Sequence, residues 1–286
     1  MYEILERRLL VPDTHELTIH APAVAAKVQP GQFIIIRPDE TSERIPLSVS
    51  DWDRDAGTVT SVFLEAGATT MKLAKLRPGD TVPTYMGPLG VISDIGPLGT
   101  VVCCGGCYGA GALYPIVRAH KEAGNRVIVV LEAHSEWLLY WVDKHRALAD
   151  EVHLITSDGS SGEKGLSFDL VERWLAEGQT IDRIHAIGCS FMMQHNSEQA
   201  LKAQVPIKVS LNTVMVDGTG MCGGCRCSVG GERKFACVDG PEFDGDAVDW
   251  QLLRDRRRSY RQHEIATLRT YESRGFLSSS RGGTER

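Results

Sequence analysis

The sequence predicts an antiparallel β-barrel, then an α/β domain with a parallel sheet, and finally a small cysteine-rich segment. Three observations predict this order. Short segments rich in β-branched residues occupy residues 1–96, and apolar strands alternate with amphipathic helices over residues 97–213. Glycine and cysteine then concentrate in residues 214–250. Residues 251–286 form an arginine-rich tail that we expect to be helical, with a disordered end.

The barrel prediction depends on short strands that are separated by turn signals. Pro30-Gly31 and Pro78-Gly79-Asp80 are turn signals of this kind. The predicted strands cover residues 16–22, 32–38, 46–52 and 57–66. Several short strands at this spacing are typical of a small antiparallel barrel.

The α/β prediction depends on a regular alternation of strand and helix. The predicted strands cover residues 99–104, 126–131, 152–156, 183–188 and 207–212. The predicted helices cover residues 110–124, 135–150, 166–178 and 190–203. Such an alternation indicates a parallel sheet covered on both faces, as in nucleotide-binding domains.

Composition and charge exclude several classes of partner. The formal net charge of −6 gives no basic field for nucleic acid, and no apolar run approaches the roughly 20 residues that cross a bilayer. The N-terminus lacks the features of a signal peptide, so we expect a cytoplasmic protein without nucleic-acid or membrane partners. In that compartment eight cysteines indicate metal or redox chemistry rather than disulfides.

The first strand of the α/β domain runs into a glycine-rich turn that could bind a pyrophosphate. Gly105, Gly106 and Gly109 stand where this strand becomes a helix, so backbone N–H groups could approach phosphate there. The alternative is a plain tight turn. Glu132 ends the second strand, where a carboxylate can accept from a ribose hydroxyl. No Arg or Lys lies within residues 133–139 to pair with a 2′-phosphate, which favours NAD(H) over NADP(H).

Two stretches of the barrel could bind a second phosphate-bearing group. Arg44 precedes Pro46 and Ser48 at a strand entry, and an Arg with a hydroxyl can hold phosphate in a fixed geometry. Gly67 opens a short helix in which Thr70 and the first amides could make a further contact. The alternative for this second stretch is a helix that uses a threonine as its own cap.

The cysteines of the C-terminal segment follow the spacing of an iron–sulfur loop. Plant-type [2Fe–2S] proteins space their ligands C-x4-C-x2-C with a distant fourth cysteine. Here Cys222, Cys225 and Cys237 match, and Asp217 stands where the first cysteine is expected. A carboxylate can ligate iron. Cys227 is the rival fourth ligand, and a zinc site made of the four thiolates is a further alternative.

These motifs, in this order, resemble the ferredoxin–NADP reductase superfamily over about residues 1–250. Within it the chain resembles the electron-transfer subunits of dihydroorotate dehydrogenase. It also resembles the small subunits of NADH-dependent reduced ferredoxin:NADP oxidoreductase, which are also called sulfide dehydrogenase β subunits. The D-x4-C-x2-C-x11-C spacing and the stretch KFACVDGPEFDG carry this second resemblance.

The resemblance implies cofactors and residue roles that spacing alone does not give. FAD would be held by the barrel, NAD(H) by the α/β domain and a [2Fe–2S] cluster by the C-terminal segment. The implied FAD residues are Arg44, Pro46, Leu47, Ser48, Gly67 and Thr70. The implied NAD(H) residues are Gly105, Gly106, Gly109, Asp158, Gly159 and, beside the nicotinamide, Cys189. Cys107 departs from the expected GGGVG turn, where a glycine would stand.

The function that the resemblance implies is electron transfer from NAD(H) through FAD and the cluster to another protein. The expected partner is a larger flavin- and iron–sulfur-containing subunit related to the glutamate synthase small subunit, through which ferredoxin could be reached. An electron-transfer subunit of a dihydroorotate dehydrogenase, a hydrogenase or a sulfite reductase is the alternative. A zinc-containing module that binds nucleotide without turnover is an alternative of a different class.

Overall fold

The computed structural model describes the backbone of residues 1–281 and the side chains of residues 1–271. The final helix extends to Arg281, and the predicted disordered end lies, for residues 282–286, outside the described residues. No helix within residues 1–281 combines the length and the apolar character that spanning a membrane would require.

The N-terminal domain is the predicted antiparallel barrel. Its strands are β1 (Tyr2–Val11), β2 (Thr14–His20), β3 (Phe33–Arg37), β4 (Ile45–Ser48), β5 (Asp51–Asp53), β6 (Thr58–Leu64), β7 (Thr81–Val82) and β8 (Thr84–Leu89), with helices α1 (Pro22–Ala25) and α2 (Ala68–Leu73). They form two sheets, β5-β6-β2-β1-β7 and β4-β3-β8, in which every pairing is antiparallel. Strand β3 is buried on both faces: Ile34 and Ile36 pack into the barrel, whereas Ile35 packs toward the cysteine-rich segment.

The second domain is the predicted α/β domain. Its strands are β9 (Thr100–Gly106), β10 (Arg126–Ala133), β11 (Glu151–Thr156), β12 (Glu163–Lys164), β13 (Arg183–Ile187) and β14 (Ile207–Ser210), with helices α3 (Gly109–Glu122), α4 (Val142–Arg146), α5 (Ser167–Ala176) and α6 (Ser190–Lys202). These strands are parallel in the order β12-β11-β10-β9-β13-β14. The strand order reverses between β9 and β13, and ligands bind at such a switch point in open α/β sheets.

The single helix predicted over residues 135–150 is wrong. A one-turn 3-10 helix and the five-residue α4 are found instead, separated by Trp141 in the left-handed region at φ 56°. The Trp141 indole donates to Glu16 of the barrel at 2.9 Å, and the Tyr140 hydroxyl donates to the Cys107 carbonyl at 2.9 Å. These contacts with distant residues override the helical periodicity of the segment.

The C-terminal segment is attached to the α/β sheet. It contains β15 (Arg226–Val229), β16 (Glu232–Phe235), β17 (Glu242–Asp244), α7 (Trp250–Arg258) and α8 (Arg261–Arg281). Strands β15 and β16 form a hairpin, and β17 joins the large sheet antiparallel to β14. The arginine-rich tail is therefore two helices, and the cysteine-rich segment is fixed to the sheet by one of its own strands.

A buried chain of polar side chains reinforces this attachment. Asn125 donates to His120 Nδ1 at 3.1 Å, the Nε2 atoms of His120 and His185 are 3.0 Å apart, and His185 Nδ1 lies 3.3 Å from Glu242 of β17. All contacts are satisfied when both histidines are neutral, with His120 Nε2–H donating to His185 and His185 Nδ1–H donating to Glu242. Burial and the neighbouring His185 lower the pKa of His120 to about 4.

Acidification is expected to destabilise the protein through this chain. Between pH 6.5 and about 4 the unfolded His120 binds a proton that the folded one excludes, so stability falls as pH falls, by up to about 1.4 kcal/mol per pH unit. Burial would raise the pKa of Glu242, but hydrogen bonds from His185 and Ser93 hold it below its usual value. Protonation of Glu242 at still lower pH therefore removes further stability. Urea unfolding at about pH 7 and about pH 5 checks this. His120→Gln should be less stable near pH 7 yet show a shallower pH slope, and an equal slope would contradict the assignment.

Candidate cofactor and electron-transfer site

A cavity of about 270 Å³ lies between the barrel and the α/β domain. Four of the residues predicted to bind FAD, Pro46, Leu47, Ser48 and Thr70, line it, together with residues from the α/β domain and from the stretch 210–215. Arg44 does not line the cavity. It is exposed immediately before β4, and its side chain makes no hydrogen bond or ion pair within the described residues.

Thr70 caps its own helix. Its hydroxyl oxygen accepts from the N–H groups of Ala66 and Gly67 at 2.9 and 3.0 Å, and its hydroxyl donates to the Gly67 carbonyl at 2.9 Å. The sequence left open Thr69 or Thr70 as the N-cap residue, but the N-cap is Gly67, and Thr70 caps the helix from its third position. Thr70 also lines the cavity, so its capping hydrogen bonds hold this part of the cavity wall in place.

The glycine-rich turn after β9 allows two elements to approach closely. A Cβ atom on Gly109 would lie 1.9 Å from the Ile187 carbonyl oxygen at the end of β13. A Cβ atom on Gly106 would lie 2.9 Å from the Met192 sulfur. Cys107, the departure from the expected turn, is exposed and adopts a left-handed φ of 51°. Glycine at 106 and 109 is therefore required by packing, whatever its role toward a ligand.

Glu132, which is predicted to bind ribose, and the predicted NAD(H) residue Asp158 lie at the ends of β10 and β11. Glu132 accepts from the Ser167 backbone N–H at 2.8 Å, so one of its oxygens caps α5. Asp158 accepts from the N–H and hydroxyl of Ser160 at 2.9 and 2.6 Å, and these bonds lower its pKa to about 2. Gly159 follows with a left-handed φ of 77°. This edge of the sheet therefore carries an ionised carboxylate at neutral pH.

Cys189 lies at the end of β13 and caps α6, its sulfur accepting from the Met192 N–H at 3.4 Å. Beside it the Tyr108 hydroxyl donates to the Gly188 carbonyl at 3.0 Å and accepts from Asn212 at 2.7 Å. Sequence reasoning missed Tyr108 and Asn212, because their contact joins loops about a hundred residues apart and neither belongs to a motif.

The Thr213 hydroxyl indicates that the cavity holds a polar group. Its hydroxyl is buried, lines the cavity and has no hydrogen-bond partner within the described residues. A buried polar group without a partner costs free energy unless a ligand or water satisfies it. The cavity therefore leaves one buried hydroxyl available to a polar atom of a ligand or a water.

The cysteine-rich segment places two of its predicted sulfur ligands in contact and joins Asp217 to the backbone of Cys222. The sulfurs of Cys225 and Cys237 lie 3.2 Å apart, and the Cys237 N–H donates to Cys225 Sγ at 3.4 Å. Asp217 Oδ2 accepts from the Cys222 N–H at 2.7 Å. The Gly224 N–H donates to Cys222 Sγ at 3.4 Å. Backbone donors thus already face two of the three predicted sulfur ligands.

Cys227, the rival ligand, lies on β15 with its sulfur 3.7 Å from the Lys234 carbonyl oxygen. Burial and the neighbouring Cys225 raise the pKa of its thiol to about 11. In the part of the chain with described side chains, no three Cys, Asp, Glu or His side chains converge on a single ion. A [2Fe–2S] cluster takes four ligands for two irons, and Cys222, Cys225, Cys237 and Asp217 supply three thiols and a carboxylate, which are groups that can ligate iron.

Comparison with known proteins gives the family. Residues 212–249 match the iron–sulfur cluster binding domain of dihydroorotate dehydrogenase B. A Thermotoga maritima homolog of the dihydroorotate dehydrogenase B (NAD(+)) electron transfer subunit is 44% identical over 262 residues, 92% of each chain. The Bacillus caldolyticus electron transfer subunit is 31% identical over 254 residues, 86% of this chain and 96% of that one.

Solved structures agree with this result. A chain from the structure of an NADH-dependent reduced ferredoxin–NADP oxidoreductase superposes with a TM-score of 0.90 and 40% identity, over 95% of this chain and 98% of that one. A Neisseria gonorrhoeae ferredoxin NADP+ reductase, at 16% identity and a TM-score of 0.57 over 71% of this chain and 91% of that one, shares the fold. The chain therefore belongs to the family of dihydroorotate dehydrogenase B electron-transfer subunits, oxidoreductase subunits of the ferredoxin–NADP reductase fold that carry electrons between NAD(H), FAD and a [2Fe–2S] cluster.

Proposed function

We propose that this chain takes electrons from NADH and delivers them singly, through the cluster, to a larger redox subunit. One observation carries the proposal: residues 210–215 wall the cavity between the domains, and the same stretch reaches the first predicted cluster ligand, Asp217, two residues later. A ligand in the cavity and a cluster in the C-terminal segment would therefore be neighbours along one stretch of backbone.

The cavity is the proposed site of the flavin ring system. Pro46, Leu47 and Ser48 would hold one side, and the unpartnered Thr213 hydroxyl would meet a polar ring atom. The exposed Arg44 guanidinium is available for a flavin phosphate outside the cavity. A bound flavin supplies the conversion between electron pairs and single electrons.

The proposed cluster ligands are Asp217 and Cys222 on one iron and Cys225 and Cys237 on the other. The 3.2 Å separation of the Cys225 and Cys237 sulfurs supports the second pair, and the hydrogen bond from the Cys222 backbone N–H to Asp217, which keeps these two residues adjacent, supports the first. Cys227 is the less favourable fourth ligand, because its thiol lies against the Lys234 carbonyl oxygen of the neighbouring strand at 3.7 Å.

NADH, rather than NADPH, is the proposed electron donor. A 2′-phosphate carried to the ends of β10 and β11 would meet the ionised Asp158 and the carboxylate of Glu132. The prediction is that Asp158→Ser improves kcat/KM for NADPH about tenfold or more relative to NADH, because one repulsive charge is removed. Asp143→Ser, at an exposed position on α4, is the matched control and should leave the ratio unchanged. An unchanged ratio in Asp158→Ser would place the ribose elsewhere.

The proposed partner is a larger subunit with its own flavin and iron–sulfur centres, related to the glutamate synthase small subunit. The 40% identical chain of the ferredoxin–NADP oxidoreductase supports a partner of that complex's type. So does Asp217, which replaces the cysteine of plant-type cluster loops. Ferredoxin would be reached through that partner. The proposed compartment is the cytoplasm, where all eight unpaired cysteines would stay reduced.

Anaerobic titration of the purified chain with NADH tests the proposal. Flavin absorbance should bleach, and a [2Fe–2S] EPR signal should then appear. Cys225→Ser should keep NADH-dependent bleaching and lose the EPR signal, because only the cluster is removed. Colourless protein without flavin or iron would overturn the function, and co-purification with a dihydroorotate dehydrogenase would overturn the partner.

A further inference from the structure

The turn between Cys222 and Cys225 is held by two arginines. Arg226 Nη1 donates to the Gly223 carbonyl oxygen at 3.0 Å, and Arg256 Nη2 donates to the Gly224 carbonyl oxygen at 3.1 Å. Both carbonyls of the Gly-Gly pair between the two predicted ligands are therefore bound by guanidinium groups.

Helix α7 brings Arg256 to this turn. Asp249 caps the helix by accepting from the Leu252 N–H at 2.9 Å, and Leu253 is buried in the core at 1% exposure. Arg256 follows Leu253 by three residues and so lies on the same face of the helix. The helix therefore presents Arg256 to the cluster segment.

The two arginines carry charge that no carboxylate neutralises. Neither takes part in an ion pair among the described side chains. Arg256 is half-buried, whereas Arg226 is exposed. Burial and the neighbouring Arg226 lower the pKa of Arg256, and the nearby Cys225 and Cys227 oppose this shift. A guanidinium still remains protonated at neutral pH.

We infer that Arg256 is a positioning residue that raises the reduction potential of the cluster. The inference rests on the proposed function and adds to it a residue that sets the reduction potential of the cluster. Reduction puts one more negative charge on the cluster, and a cation held against the ligand loop stabilises the reduced form. Arg226 acts in the same direction but less, because solvent and salt screen an exposed charge more strongly.

Redox titration followed by EPR tests this inference on the purified flavin- and cluster-containing chain. Arg256→Gln should lower the ratio of reduced to oxidised cluster about tenfold at a fixed ambient potential, which corresponds to about 59 mV for one electron. Arg256→Lys keeps the positive charge and should restore most of the difference. The flavin potential in the same samples serves as an internal reference.

Arg258→Gln is the matched control, because it removes the same charge from an exposed position on the same helix. It should leave the cluster potential unchanged. Equal shifts in the Arg256 and Arg258 variants would overturn the inference, since net charge alone would then explain the result. Equal potentials in Arg256→Gln and wild type would also overturn it.

If Arg256→Gln loses its cluster, the same redox titration on Arg226→Gln tests the inference. This variant leaves α7 intact and should lower the potential in the same direction by a smaller amount, whereas no shift would count against the inference. Failure of the inference is distinguishable from failure of the proposed function. In the first case wild type shows a cluster whose potential the variants do not change, and in the second case wild type shows no cluster.

Discussion

An Asp217→Ala variant is expected to purify with its flavin but with about tenfold less iron than wild type. The carboxylate is the proposed fourth ligand, and its oxygens also hold the loop by accepting from the N–H groups of Thr219 and Cys222 at 2.8 and 2.7 Å. Alanine removes both contributions. Iron content per flavin and the visible spectrum measure the loss.

Two further variants separate ligation from loop geometry. Asp217→Asn keeps one oxygen, which can accept from the Thr219 or the Cys222 N–H group but not from both, and it removes the negative charge, so it should also lose most of the iron. Asp217→Cys should keep the iron and change the EPR signal and potential, because an oxygen ligand becomes sulfur. Full iron content in Asp217→Asn would mean that Asp217 only stabilises the loop and does not ligate iron.

Cys227→Ser is the control for the rival assignment. Serine should leave the iron content unchanged, because the Cys227 sulfur lies against the Lys234 carbonyl rather than in either ligand pair. Loss of the cluster in this variant, with retention in Asp217→Ala, would make Cys227 the fourth ligand.

The order of the domains could be predicted because strand and helix alternation is a local property of the sequence. Strands β9, β10, β11, β13 and β14 lie within a few residues of their predicted bounds, whereas the two-residue β12 and the barrel strands β1, β7 and β8 are not predicted. Most of β1 is exposed or half-buried, so its sequence lacks a clear apolar alternation. The three-residue β17 was also missed, because its pairing with β14 comes from tertiary contact rather than from its own residues.

Site residues could be predicted from the sequence where they lie close together along the chain. The positions of Asp217, Cys222 and Cys225 follow from counting. The Tyr108–Asn212 contact and the approach of Arg256 to Gly224 depend on how distant elements pack, and no local pattern carries that information. The cap that Glu132 provides for α5 is of the same kind.

Gly109→Ala is expected to destabilise the protein by about 3 kcal/mol or more. An added Cβ atom would lie 1.9 Å from the Ile187 carbonyl oxygen and 2.5 Å from its carbon, so α3 would have to move away from β13. Alanine favours a helix by about 1 kcal/mol over glycine, which is too little to offset that movement. Urea unfolding measures the difference, and NADH binding should fall with it because the turn after β9 would move.

Gly96→Ala separates this clash from the general effect of losing a glycine. An added Cβ at Gly96 meets no atom within 4 Å, and its φ lies outside the left-handed region, so stability should change by less than about 0.5 kcal/mol. A Gly109→Ala protein of normal stability with weakened NADH binding would mean that the turn tolerates the added atom. Gly109 would then serve the nucleotide rather than the joint between α3 and β13.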